Sequence, residues 1–201
     1  EVGLLDCYVG AHPMAGNEHS GWVAADPTLF DDALWAVTFG LHTQYRRVVQ
    51  IAGMITRGVR NTMIVIDDVT HDREASLISH MPHVLSTALI NEMTSDANNA
   101  IASALSAGSW RDMTRVALTD PDRTRAMVVE NAHNVEELLH RMIDWLSEFA
   151  NALHEEDETE IRHFFAEGQP YRDYKAQINA GKVSDSTETI FQSLRIDPEH
   201  W

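Results

Sequence analysis

The sequence predicts a mainly α-helical chain preceded by a short α/β segment. Three observations carry that reading. β-prone apolar runs are confined to the first 70 residues, apolar positions at helical spacing dominate residues 70–183, and a hydrophobic content of 44% over 201 residues is enough to bury a real core.

Each element follows from local chemistry. Cys7-Tyr8-Val9-Gly10, Leu34-Trp35-Ala36-Val37-Thr38-Phe39 and Met63-Ile64-Val65-Ile66 read as strands, with a helix from Thr43 to Arg57 between the last two. A sheet this small is marginal by itself. Because Glu1 leads almost directly into a strand, residues 1–69 are expected to be the remnant of a larger α/β sheet. From Thr70 onward Leu77, Met81, Val84, Leu85, Ala88 and Ile90 give a wide apolar helical face. Thr119-Asp120-Pro121 stops one helix and starts the next. Beyond it Val128, Val135, Leu138, Leu139, Met142, Leu146, Phe149 and Leu153 recur at spacings of three and four, which predicts one amphipathic helix of about 30 residues. A last helix is predicted over residues 157–180, ending at Gly181-Lys182; the tail, residues 184–201, is polar and weakly patterned. The helical domain thus covers residues 70–183.

Composition narrows the function classes. The chain carries 31 Asp and Glu against 15 Lys and Arg, a formal net charge of −16, and no basic cluster that could follow a phosphate backbone, so neither nucleic acid nor an anionic membrane is an expected partner. No apolar run approaches the roughly 20 residues of a membrane span, and the N-terminus lacks the blocks of a signal peptide, so a cytoplasmic protein is expected. Cys7 is the sole cysteine, which excludes an internal disulfide; burial is its expected state. Long helices with broad apolar faces in so short a chain leave surface to cover, and a homodimer through the helical domain is expected.

Three polar islands could carry chemistry: residues 10–21 around His12, residues 71–83 with His71-Asp72 and Ser79-His80-Met81-Pro82-His83, and residues 108–115 with Arg111, Asp112 and Arg115. In the first, a strand is expected to deliver His12 into a Gly- and Pro-bounded loop, where an imidazole suits acid/base work near neutral pH; a histidine capping a turn is the plain alternative. In the second, His80 and His83 share a helical face while Pro82 bends or starts the helix. In the third, guanidinium groups beside a Gly-Ser break suit a carboxylate, or form ordinary surface ion pairs. Metal ligation has two versions, zinc on His71, His80 and His83, or a di-iron pair of Glu-x-x-His motifs at Glu130/His133 and Glu160/His163 completed by Glu74 or Glu92.

Taken in order, the His-Pro-Met-Ala-Gly loop with Glu18-His19-Ser20-Gly21 after it, the His-Asp and Ser-His-Met-Pro-His segment, and Arg111-Asp112-Met113-Thr114-Arg115 resemble the prephenate and arogenate dehydrogenase family, over a span from about Tyr8 to Asn151. The resemblance implies a Rossmann domain coupled to a helical dimerisation domain, and an oxidative decarboxylation of prephenate to 4-hydroxyphenylpyruvate, or of arogenate to tyrosine, in tyrosine biosynthesis. It implies that His12 is the catalytic histidine acting on the substrate hydroxyl, that Arg115 grips a substrate carboxylate, that His83 and His80 line the pocket with Gly108 and Asp112 on its far wall, and that Glu18, His71 and Asp72 are gating or supporting groups. Residue 19 is His where the family often has Lys, and Thr124 stands where an aromatic residue is frequent, so substrate and cofactor preference stay open. No Gly-x-Gly-x-x-Gly turn or acidic ribose partner occurs, and the serine and lysine that the family contributes from the Rossmann domain are missing. The expectation is therefore the C-terminal part of an NAD- or NADP-dependent enzyme, inactive alone and holding no cofactor tightly. A carboxylate-binding helical dimer without turnover is the other class, ahead of the metal protein.

Overall fold

Three short strands and the loops around them build a sheet in the order β1-β2-β3 from β1 (Gly10–Pro13), β2 (Leu34–Thr38) and β3 (Thr62–Val65). In this computed structural model residues 3–4, 6–17, 19 and 21–181 are described. Strand β1 runs antiparallel to β2, pairing Gly10 with Thr38 and His12 with Ala36, and β2 runs parallel to β3. Between β2 and β3 lies helix α1 (Tyr45–Gly53), continued by a π-helical turn, Met54–Gly58. Gly10 is needed where it stands, because a Cβ there would collide with the Thr38 hydroxyl. Val37 and Ile55, both 0% exposed, anchor the small core between sheet and crossover helix.

The first strand sits three residues later than the β-prone run at residues 7–10 suggests. Cys7 and Tyr8 instead donate their backbone N–H groups to the Leu4 carbonyl in a turn, so that run is consumed before pairing begins. His12 consequently lies within β1 and not in the loop beyond it. Cys7, expected to be buried, is exposed in that same turn.

From residue 68 the chain is helical. Asp67 caps α2 (Asp68–Ala75) by accepting from the Thr70 N–H at 2.8 Å. A π-helical turn, Ser76–His80, then leads without a break into α3 (Met81–Ser95), where Pro82, which has no backbone N–H to donate to the preceding turn, directly follows the π-helical segment. Helices α4 (Asn99–Leu105) and α5 (Gly108–Thr114) and a 3-10 turn, Arg115–Leu118, follow.

The predicted 30-residue helix is two helices, α6 (Pro121–Glu130) and α7 (Ala132–His154), because Asn131 leaves helical geometry at φ −121°, ψ 30°. Its side chain donates to the Asp72 carbonyl at 2.7 Å and accepts from the Asn134 amide at 2.7 Å, partners that compensate the broken turn. The predicted helix over 157–180 is likewise α8 (Glu158–Ala166) and α9 (Gln169–Asn179), divided at Gly168 with Pro170 in the first turn of α9.

The chain forms two compact units, residues 1–140 and 141–201. In the first, Ala75, Met81, Val135 and Leu138 join the buried set. In the second, Phe149 stacks on Phe164 at 4.3 Å, with Phe165 and Trp145 edge-on around them. Among the described residues no helix is long and apolar enough to cross a membrane.

Candidate active site

His12 stands at the wall shared by two cavities of the first unit. The first, about 630 Å³, opens at the carboxyl end of β2, where Thr38, Phe39 and Gly40 meet Tyr8, Thr43, His71 and Asp72. The second, about 560 Å³, is cationic, bringing His80, His83, Arg115 and Arg123 against Asn17, Thr119 and Met127. One imidazole therefore faces both the edge of the sheet, where an α/β fold presents ligands, and a pocket suited to an anion.

Regular backbone places each of these side chains. Pairing with Ala36 fixes His12 in β1. His80 closes the π-helical turn and His83 lies three residues on in α3, a spacing that puts both on one helical face and at the same cavity. Arg115 comes from the junction of α5 with the 3-10 turn that follows. Around His12 a chain of contacts runs outward: its Nδ1 lies 2.9 Å from His71 Nε2, and His71 Nδ1 lies 2.8 Å from the Asp72 carboxylate. The two rings meet edge-on, with centroids 5.1 Å apart.

The electrostatics favour neutral imidazoles. Partial burial, followed by the repulsion that His71 would exert if both rings were protonated, holds His12 below the ordinary histidine value. Burial, then His83, lowers His80, with Asp72 acting in the opposite sense. Burial also lowers His83; its hydrogen bond with the Val116 backbone opposes this, while the Arg123 and Arg115 cations reinforce it. His83 Nδ1 is buried without a hydrogen-bond partner among the described residues.

Of the residues singled out by sequence, the structure thus gathers His12, His80, His83 and Arg115 around one cavity and His71 and Asp72 around the adjoining one. Gly108 and Asp112 lie on α5 and line neither. Glu18 falls outside the described residues. Among the described residues no group of three or more His, Cys, Asp or Glu could hold a metal ion, so neither metal arrangement gains support.

Two contributors escaped the sequence reading. Arg123 lines the cationic cavity and donates to the His19 carbonyl at 3.0 Å and, less closely, to that of Asn17 at 3.4 Å, tying the loop after β1 to α6. Its signal was available: a cation in the first turn of a helix opposes the helix dipole and calls for another partner. Asn131, which approaches His80 Nδ1 at 3.4 Å as well as holding Asp72, falls in the span of the family resemblance, but nothing in its spacing assigned it a role at the site.

Comparison with known proteins adds the family context. Residues 67–167 match the family described as prephenate dehydrogenase, dimerization domain, and residues 2–65 match prephenate dehydrogenase, nucleotide-binding domain. The chain is 30% identical over 198 residues to a prephenate dehydrogenase of Bacillus subtilis, covering 96% of this chain and 51% of that protein. Among solved structures, a putative prephenate dehydrogenase from Corynebacterium glutamicum superposes with a TM-score of 0.74 at 28% identity, over 96% of this chain and 63% of that one. The prephenate dehydrogenase of Aquifex aeolicus, solved with hydroxyphenyl propionate and NAD+, gives 0.72 at 25% identity, over 82% and 57%. The chain spans about half the length of the curated relatives it matches.

Proposed function

This chain belongs to the prephenate dehydrogenase family, and from that premise we propose that it supplies the base and the carboxylate pocket for oxidative decarboxylation of prephenate, or of arogenate, in tyrosine biosynthesis. The observation that carries the reading is the convergence of His12, His80, His83 and Arg115 on one cavity. His12 takes the proton of the substrate's ring hydroxyl, as a neutral imidazole held below its ordinary pKa is able to do at neutral pH. Arg115 holds a substrate carboxylate, a planar donor matching a planar acceptor, with the two further histidines completing the wall. Loss of carbon dioxide then leaves an aromatic ring, which supplies the driving force. The protein's task is alignment.

The cavity at the carboxyl end of β2 fits the reactive end of a nicotinamide dinucleotide, NAD or NADP, because it shares His12 with the cationic cavity. The rest of such a cofactor does not fit these residues: the sequence has no Gly-x-Gly-x-x-Gly turn, and Gly10 is closed by Thr38. When bound, the nicotinamide accepts hydride. The pyrophosphate grip belongs, in this proposal, to a dinucleotide-binding part beyond these 201 residues, so the chain alone turns over no substrate. The division at residues 69 and 70 into a nucleotide-binding remnant and a helical domain belongs to the same reading, supported by family matches that meet a few residues earlier, between residues 65 and 67. So does a cytoplasmic homodimer, supported by exposed Ile143, Leu146, Leu153 and Phe165 on α7 and α8.

Calorimetric titration of the chain with prephenate and with arogenate, each with and without NAD, tests the assignment. Binding of either acid that disappears in Arg115→Gln is the expected result. A folded chain that binds neither acid under either condition overturns it.

A further inference from the structure

The hydrogen bonds around His12 determine more than its position. A carboxylate can only accept, so the 2.8 Å contact between Asp72 and His71 Nδ1 puts a proton on that nitrogen. A neutral His71 then has a bare Nε2, which can only accept. That atom lies 2.9 Å from His12 Nδ1, which must therefore be the donor. In neutral His12 the remaining lone pair is on Nε2.

Resting on the reading of His12 as the base, we propose that His71 is a positioning residue which, held by Asp72, fixes His12 in the Nδ1–H tautomer and so makes Nε2 the atom that takes the substrate's proton. The hydroxyl O–H bond breaks, its electron pair stays on oxygen, and the proton forms a bond to His12 Nε2. The imidazolium so formed keeps its Nδ1–H directed at His71 Nε2, with the Asp72 carboxylate behind to offset the charge. No proton needs to pass along the chain.

Both partners are held from behind by regular structure. His71 lies in the first turn of α2, where its N–H donates to the Asp67 carbonyl at 3.0 Å and Asp67 is itself tied to Thr70. Asn131 clamps the Asp72 carbonyl from the break between α6 and α7 at 2.7 Å. The His71 side chain is only 18% exposed, so solvent competes weakly for its Nε2. Other groups face His12 across its two cavities: Tyr8, His42 and Asp68 on one side, His80, His83, Arg115 and Arg123 on the other. None of these has the 2.9 Å contact with Nδ1 that His71 makes.

The test is long-range proton–nitrogen NMR of the 201-residue chain at about pH 8, above the ordinary imidazole value. His12 is expected to show a protonated Nδ1 and a bare Nε2. Asp72→Asn, whose amide can donate to His71 Nδ1 and reverse the chain, is expected to shift His12 towards the Nε2–H tautomer, as is His71→Ala. A wild-type His12 protonated on Nε2, or an unchanged pattern in Asp72→Asn, overturns the proposal. Asp72 is 59% exposed, so its variant decides the matter even if His71→Ala fails to fold. The tautomer is read without turnover: failure of the chain to bind either acid removes the functional reading, whereas a wrong tautomer removes only the role of His71.

Discussion

His12, His80 and His83 are each pushed below the ordinary imidazole value chiefly by burial, and this links the site to the stability of the fold. The unfolded chain takes up protons at about pH 6.5, the folded chain only at lower pH. The unfolded state therefore binds more protons only between the folded values and about pH 6.5, and stability present above that window is lost as pH falls through it. The thermal midpoint is expected to decline between about pH 7.5 and 5.5, less steeply in His80→Gln; a flat midpoint would mean that the three rings are fully solvated when folded. In a full-length parent enzyme, His12→Asn is expected to lower kcat by about 10²–10⁴-fold with little change in KM, as for other lost acid/base groups. Steady-state rates decide this, and a near-normal kcat removes His12 from the mechanism. Arg115→Gln should instead act mainly on KM, raising it about 10- to 100-fold, the equivalent of one charge-assisted hydrogen bond of about 1.5–3 kcal/mol; an unchanged KM returns Arg115 to an ordinary surface pair.

At the scale of elements, breaks between helices carry as much information as the helices. Asn131→Ala removes the clamp on the Asp72 carbonyl and the contact with His80, and is expected to cost about 1–2 kcal/mol in urea unfolding. Asp157→Ala removes acceptors for the Thr159 and Glu160 N–H groups at the start of α8 and is expected to cost about 1 kcal/mol. Unchanged midpoints in these variants would show that solvent satisfies the freed groups equally well. The second and third strands and the switch to helices were legible because strand propensity and turn chemistry are local, whereas the first strand was displaced by the turn at Leu4. The interruption at Asn131 was not, since Val128, Val135 and Leu138 keep helical spacing across it and the carbonyl to which its side chain donates lies 59 positions away, at Asp72. The site divides in the same way. His12, His80, His83 and Arg115 stand in recognisable segments, whereas the approach of His71 to His12 depends on how β1 meets α2, which no spacing encodes.

For the whole molecule, the formal charge is −16, while the cavity beside His12 is lined by two arginines, Arg115 and Arg123, so a cationic pocket belongs to an anionic chain. An anionic ligand such as the acids proposed above would then meet repulsion from the net charge at long range and attraction from the two arginines at short range. Added salt is expected to screen the first effect more than the second, so moderate ionic strength should speed association; association rates from stopped-flow binding check this, and a rate that falls as salt rises would mean that the cavity's own field dominates. The self-association proposed for the helical part is expected to give a light-scattering mass of about twice 22.6 kDa, and a monomer mass would leave the apolar residues of α7 and α8 without the proposed cover.

The turn that carries Cys7 offers a practical handle. Its thiol is exposed, the sequence has no second cysteine, and the next residue, Tyr8, lines the cavity that contains His12. A maleimide dye therefore attaches at a single known position one residue from the cavity wall, where its emission can follow ligand occupancy in real time without any engineered substitution.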